Sequence, residues 1–83
     1  MTISNILLYS NRMRLNDYLI KHNLTPADLA EQIGDVTSEA VRLWAAGRRM
    51  PEVKFIQRII EITDSRVTVE DLYQARVEVM ENE

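Results

Sequence analysis

The sequence predicts an all-α fold: a compact bundle of about five helices, with N- and C-terminal extensions whose structure the residues leave open. Three observations predict it. Apolar residues recur at three- and four-residue spacings through the middle of the chain, with no β-rich stretch there. Helix-start residues precede these periodic runs and glycines follow them. The 83 residues, 46% hydrophobic and 28% charged, suit one ordinary globular domain, and with no Cys a packed core alone must hold it.

The first helix is expected over Met13–Asn23, where Leu15, Tyr18, Leu19 and His22 share one face. Thr25-Pro26-Ala27-Asp28 then opens a second. Thr25 suits the N-cap, Pro26 the first helical position, and Asp28 the carboxylate of a capping box. Leu29, Ala30 and Ile33 form its buried stripe, and Gly34 can take the left-handed conformation that ends it. Thr37 or Ser38 caps a third helix, with Glu39 favourably placed in its first turn. Ala40, Val41, Trp44 and Ala45 give its apolar face, and Gly47 ends it.

After Arg48-Arg49-Met50, Pro51 reads as another first-position proline, and Val53, Ile56, Ile59 and Ile60 mark a fourth helix to about Ile62. Thr68 to Asp71 repeats the capping-box spacing and opens a short fifth helix through Leu72 and Tyr73. The ends are less determined. Residues 1–12 carry Ile3, Ile6, Leu7 and Leu8, compatible with a helical extension, a strand, extra core or a dimer arm, and Met13 could itself be a start codon. Residues 74–83 read as a tail or short strand, because Arg76-Val77-Glu78-Val79 alternates.

Composition excludes several chemistries. Without Cys there is no Cys-ligated zinc, iron–sulfur cluster or thiol catalysis, and a single histidine, His22, excludes a His-paired metal site within one chain. Two glycines leave no phosphate-cradling loop, no nucleophile is paired with a base, and no cofactor is expected; an enzyme is not anticipated. No apolar run approaches the roughly 18–20 residues of a membrane span, so a cytoplasmic protein is the expectation. The net charge of −3 argues at first against a nucleic-acid binder.

The pattern that points to function is local. Two short helices flank a tight Gly-containing turn, and a basic loop follows the second, which is the outline of a helix-turn-helix over residues 13–73. Ala30 keeps the first helix small where the two meet. Val41, Trp44 and Ala45 hold the second at its angle, leaving Ser38, Glu39 and Arg42 on its other face.

The run Leu24-Thr25-Pro26-Ala27-Asp28-Leu29-Ala30-Glu31-Gln32-Ile33-Gly34, then Val36 to Trp44, then Gly47-Arg48-Arg49-Met50-Pro51, resembles the phage repressor-type (Cro and CI) helix-turn-helix regulators. Ile62-Thr63-Asp64 and Val67 to Leu72 look like a Cro-related branch that keeps two further helices. The likeness implies a DNA-binding transcription regulator that acts as a homodimer on a pseudo-palindromic operator, with half-sites about 34 Å apart.

Residue by residue, Thr37, Ser38, Glu39, Arg42 and Leu43 match the positions that face the major groove. The likeness makes Arg42 the main base contact, with guanine O6 and N7 in reach of its fork. Glu39 would accept from cytosine N4 or hold Arg42 in place, and Leu43 would touch a thymine methyl. Arg48 and Arg49 match the basic loop that meets the phosphate backbone. Two departures stand out. Family members often carry a phosphate-touching Gln where Pro26 stands, and Asp35 makes the turn one residue longer.

Plainer readings compete at each position. Trp44 is core rather than a base-stacking platform. His22 is a surface residue near a helix end. Arg42 could pair with Glu39, three residues away on the same face, and Leu43 could be an ordinary exposed leucine. Charge sharpens the DNA reading. Residues 37–58 hold five basic and two acidic side chains, net +3, while the rest of the chain carries −6. The alternative is a protein-interaction module, such as an antitoxin or anti-repressor, built on the same helices.

Overall fold

The computed structural model describes residues 13–82. Five helices follow one another: α1 (Leu15–Lys21), α2 (Pro26–Ile33), α3 (Ser38–Ala45), α4 (Val53–Ile62) and α5 (Val69–Glu81). No strand occurs among the described residues, so the all-α expectation holds. The readings placed on residues 1–12 lie outside them.

The core is made by one stripe from each helix. Leu15, Tyr18 and Leu19 of α1 meet Leu29 and Ala30 of α2, Val41 and Trp44 of α3, Ile59 of α4 and Leu72 of α5, with Val67 just before α5. Leu29, Val41, Ile59 and Val67 are wholly enclosed. Each such side chain contributes about 1.5–3 kcal/mol relative to exposure. The α2–α3 pair packs most extensively, so these two helices form the centre of the bundle. Val53, one of the apolar residues that mark α4, is 70% exposed at the first position of the helix.

Local chemistry sets the helix ends. Thr25 and Asp28 form a reciprocal capping box: the Asp28 N–H donates to Thr25 Oγ1 at 3.1 Å, and the Thr25 N–H donates to Asp28 Oδ2 at 2.8 Å. At α3 it is Thr37 that caps, its Oγ1 accepting from the Ala40 N–H at 3.1 Å. At α5 the Asp71 carboxylate accepts from the backbone N–H and the hydroxyl of Thr68.

Three helices finish alike. Past α1, α3 and α4, residues Asn23, Gly47 and Asp64 take positive φ. The following N–H in each case reaches back five residues: Leu24 to Leu19 O, Arg48 to Leu43 O, Ser65 to Ile60 O, at 2.8–2.9 Å.

Several expected boundaries move. α1 starts at Leu15 rather than Met13, since the N-cap Arg14 is extended and Met13 donates its N–H to Arg66 O at 2.9 Å. Pro51 is not the first residue of α4. It lies before the N-cap Glu52 and is buried beside Trp44 and Phe55. Gly34 has φ +81° but ψ +152°, outside the left-handed helical region. The left-handed φ falls on Asp35, at +57°.

The largest correction is α5. Residues 74–81, expected as a tail or strand, continue the helix to Glu81. The apparent alternation of Arg76 to Val79 is overridden by tertiary packing. Ala75 and Val79 meet the end of α3, and Arg76 Nη1 donates to Gly47 O at 3.3 Å. Glu78 receives both guanidinium nitrogens of Arg14, tying α5 to the chain before α1.

Thr63 is the buried polar residue among those described. It is satisfied: its hydroxyl donates to Ile59 O at 2.8 Å and accepts from the Val67 N–H at 3.1 Å, joining the end of α4 to the turn before α5.

Candidate functional site

The expected site residues all lie on or beside α3, and the fold explains their exposure. Val41 and Trp44 are buried on one side of this helix, with the Trp44 ring tilted against Phe55 at a centroid distance of 5.5 Å. Trp44 is therefore core, unavailable for stacking on a base. The opposite side leaves Ser38, Glu39, Arg42 and Ala46 exposed, with Leu43 half-buried at the margin. Thr37 is exposed, and its oxygen is engaged in capping α3.

Arg42 and Glu39 are paired. Arg42 Nε donates to Glu39 Oε1 at 3.0 Å, and Nη2 donates to Oε2, so both fork positions are used. Their side chains remain 58% and 63% exposed, so the pair sits in water and stabilises the helix little. The hydrogen bond from Arg42 holds the Glu39 carboxyl below its ordinary value, and Glu39 in turn raises Arg42. The outer face of α3 thus presents a charge-balanced fork rather than a bare cation.

Two shallow grooves flank α3. One, of about 290 Å³, is lined by Leu19, Ile20, Pro26, Arg42 and Ala46, between the start of α2 and α1. The other, about 180 Å³, is lined by Val36, Ala40, Trp44, Arg49 and Phe55. Arg42 and Arg49 therefore stand on opposite flanks of the helix. Arg48 and Arg49 are both exposed in the loop after α3. Arg42 belongs to the outer face, whereas Arg48 and Arg49 follow in the loop after the helix.

The two departures from the repressor pattern have definite places. Pro26 occupies the first position of α2 and lines the Arg42 groove. Asp35 is exposed and borders a third groove with Ile33, Gly34, Lys54, Phe55 and Arg58. It does not cap α3, since Thr37 does.

Lys54 and Arg58 were not among the expected site residues. They project from α4 beside the α2–α3 turn, Lys54 within 5.0 Å of the Phe55 ring centre and Arg58 reaching Gln32 O at 3.4 Å. Their four-residue spacing on the polar side of the fourth helix is the signal that could have found them.

His22 closes α1, its ring centre 4.3 Å from that of Tyr18, and is exposed. Among the described residues, no cluster of His, Cys, Asp or Glu could hold a metal ion. None of the described helices is long and apolar enough to cross a membrane. Comparison with models of known families, with curated proteins and with solved structures finds no match for the chain.

Proposed function

We propose that the chain is a sequence-specific DNA-binding transcription regulator of the Cro/repressor type, acting as a homodimer on a pseudo-palindromic operator through α3. The observation that carries this reading is the two-sidedness of α3. One side is locked into the core by Val41 and Trp44, and the other offers Ser38, Glu39 and Arg42 to the surface, with Arg48 and Arg49 exposed in the loop that follows. A rigid helix with short polar and basic groups outward is what major-groove readout requires.

The Glu39–Arg42 pair gives the reading its mechanism. On DNA, Arg42 turns its fork to guanine O6 and N7, while Glu39 accepts from the N4 amino group of a neighbouring cytosine. Each side chain exchanges one partner for another, so the cost of breaking the pair is offset only on the right sequence. Arg48 and Arg49 supply the phosphate contacts, and Lys54 and Arg58 extend that positive rim. With an overall charge of −3, binding is modest and steeply salt-dependent.

Selection of bound duplexes from a random pool tests the reading directly. An enriched pseudo-palindrome is expected, with Arg42→Ala costing about 1–3 kcal/mol and relaxing the preference at one position. Replacing Arg48 and Arg49 together by Ala should weaken binding on all sequences and flatten its salt dependence. No enrichment at low salt would reject the proposal. The charge balance of Glu39 and Arg42 favours a second reading, a protein-interaction module of the antitoxin or anti-repressor kind. Recovery of a stoichiometric protein partner, without retardation of DNA, would favour that one.

A further inference from the structure

Of the five large apolar side chains exposed among the described residues, three lie on α5: Val69, Tyr73 and Met80, at 46%, 62% and 56%. The other two, Ile20 and Val53, belong to different helices. Positions 69, 73, 77 and 80 follow the helical repeat, so the half-buried Val77 completes one stripe along α5. A different side of the helix is occupied, with Leu72 in the core and Ala75 and Val79 against the end of α3.

We propose that this stripe pairs antiparallel with the same stripe of a second copy of the chain, about a two-fold axis, and is the contact of the homodimer. The contact itself stands apart from DNA, and only its consequence on an operator rests on the DNA-binding reading.

Self-complementarity is the first argument. A two-fold contact matches a surface to itself, so that where residue i meets residue j, j meets i. The stripe does this about its midpoint near position 75. Reversed end for end, Tyr73 falls against Val77 of the second copy and Val69 against Met80, in one register.

Charge supplies the second argument. Arg66 lies three residues before α5 and Glu81 is the last residue of the helix, and both are exposed. Asp71 and Glu78 are engaged by Thr68 and Arg14, but among the described residues no ion pair holds Arg66 or Glu81. Reversal brings Arg66 of each copy to Glu81 of the other and sets the two helix dipoles antiparallel, whereas a parallel pairing would set like charges together.

Area sets the strength. An aromatic side chain buries about 150–250 Å², so one tyrosine with three smaller neighbours falls short of the ~800 Å² per partner of a standard interface. The pair is therefore weak in free solution, and two half-sites on one duplex complete it by holding both copies at high local concentration.

Resonances of isotopically labelled protein, followed without DNA from micromolar to millimolar concentration, test the contact. Those of Val69, Tyr73, Val77 and Met80 should shift with concentration, while those of Ile20 and Val53 stay in place. Tyr73→Glu should weaken the association about tenfold or more. Val53→Glu, at an equally exposed position on α4, should leave it unchanged. Arg66→Glu and Glu81→Arg should each weaken it about two- to fivefold at low salt. A mixture of these two variants should regain it, because every end of the stripe then meets an opposite charge. A stripe indifferent to concentration, or an association indifferent to Tyr73→Glu, would overturn the proposal. Failure of the mixture to recover would overturn the antiparallel pairing. On a selected operator, Tyr73→Glu should lower affinity for two half-sites and leave a single half-site unaffected. Absence of all DNA binding would reject the DNA-binding reading, while the association measurements decide the contact by themselves.

Discussion

The turn between α2 and α3 and the end of α3 each hold one of the chain's two glycines, for different physical reasons. At Gly34 a Cβ would meet nothing within 4 Å, yet φ +81° with ψ +152° is a region that essentially only glycine enters. At Gly47 the φ of +76° is one asparagine also tolerates in such helix ends. There the constraint is space: a Cβ would lie 2.5 Å from Ala75 O and 2.9 Å from Val79 Cγ2. One glycine answers the backbone, the other a neighbouring helix. The first lets the chain reverse into α3, and the second lets α5 close against it.

Breaking the second arrangement should have the larger effect. Gly47→Ala adds a left-handed penalty of about 1–2 kcal/mol to an overpacking cost of about 1–3 kcal/mol. A total loss near 3 kcal/mol is therefore expected in urea unfolding. Gly47→Asn sharpens the distinction, because it suits the backbone but keeps the clash. If Asn restores full stability, the closeness of α5 is not what requires glycine.

Gly34→Ala should cost about 1–3 kcal/mol through backbone strain alone. Here Asn should be no better than Ala, since the conformation is not the left-handed one that Asn tolerates. Its neighbour offers a smaller effect of opposite sign. Asp35→Gly relieves a positive φ of +57° at a non-glycine residue and should gain up to about 1 kcal/mol in the same measurement. A loss of stability would mean that the Asp35 side chain, among Lys54 and Arg58, holds the turn.

Acid tests the start of α2 and the seat of α5 together, with the smallest effect. Hydrogen bonds from the backbone N–H and side chain of Thr25 lower the Asp28 carboxyl at the start of α2. The Arg14 guanidinium lowers Glu78 on α5, chiefly by hydrogen bonding. Folded values below unfolded ones mean that this stability is present above the ordinary carboxylate range, about pH 4, and lost as pH falls through the lowered values. Thermal melts should therefore drop progressively below about pH 4. Glu78→Gln should flatten part of that dependence and leave the Asp28 part intact. Equal acid sensitivity in the variant would remove the Arg14 pair from the account.

Much of the candidate site was legible because short-range chemistry writes it. Thr25, Asp28 and Thr37 cap where their side chains can reach, and Val41 and Trp44 bury because their spacing follows the helix. The pairing of Arg42 with Glu39 was one of two open readings, since spacing allows the pair without choosing it. Lys54 and Arg58 counted in the basic segment 37–58 but not among the site residues, because their nearness to Asp35 crosses from α4 to the α2–α3 turn.

By itself the sequence determined that the described chain is helical, where four of its helices lie to within a few residues, and which side of α3 is apolar. Those outcomes depend on contacts within one or two turns. Only the tertiary structure decided that Arg76 to Val79 is helix rather than strand, and that Gly47 must lack a Cβ. It also set Arg42 and Arg49 on opposite flanks of α3. Each of these depends on groups far apart in sequence: Ala75 and Val79 against Gly47, Arg14 against Glu78, and Arg49 beside Val36 and Phe55. Local periodicity carries no information about which distant surface a helix will meet.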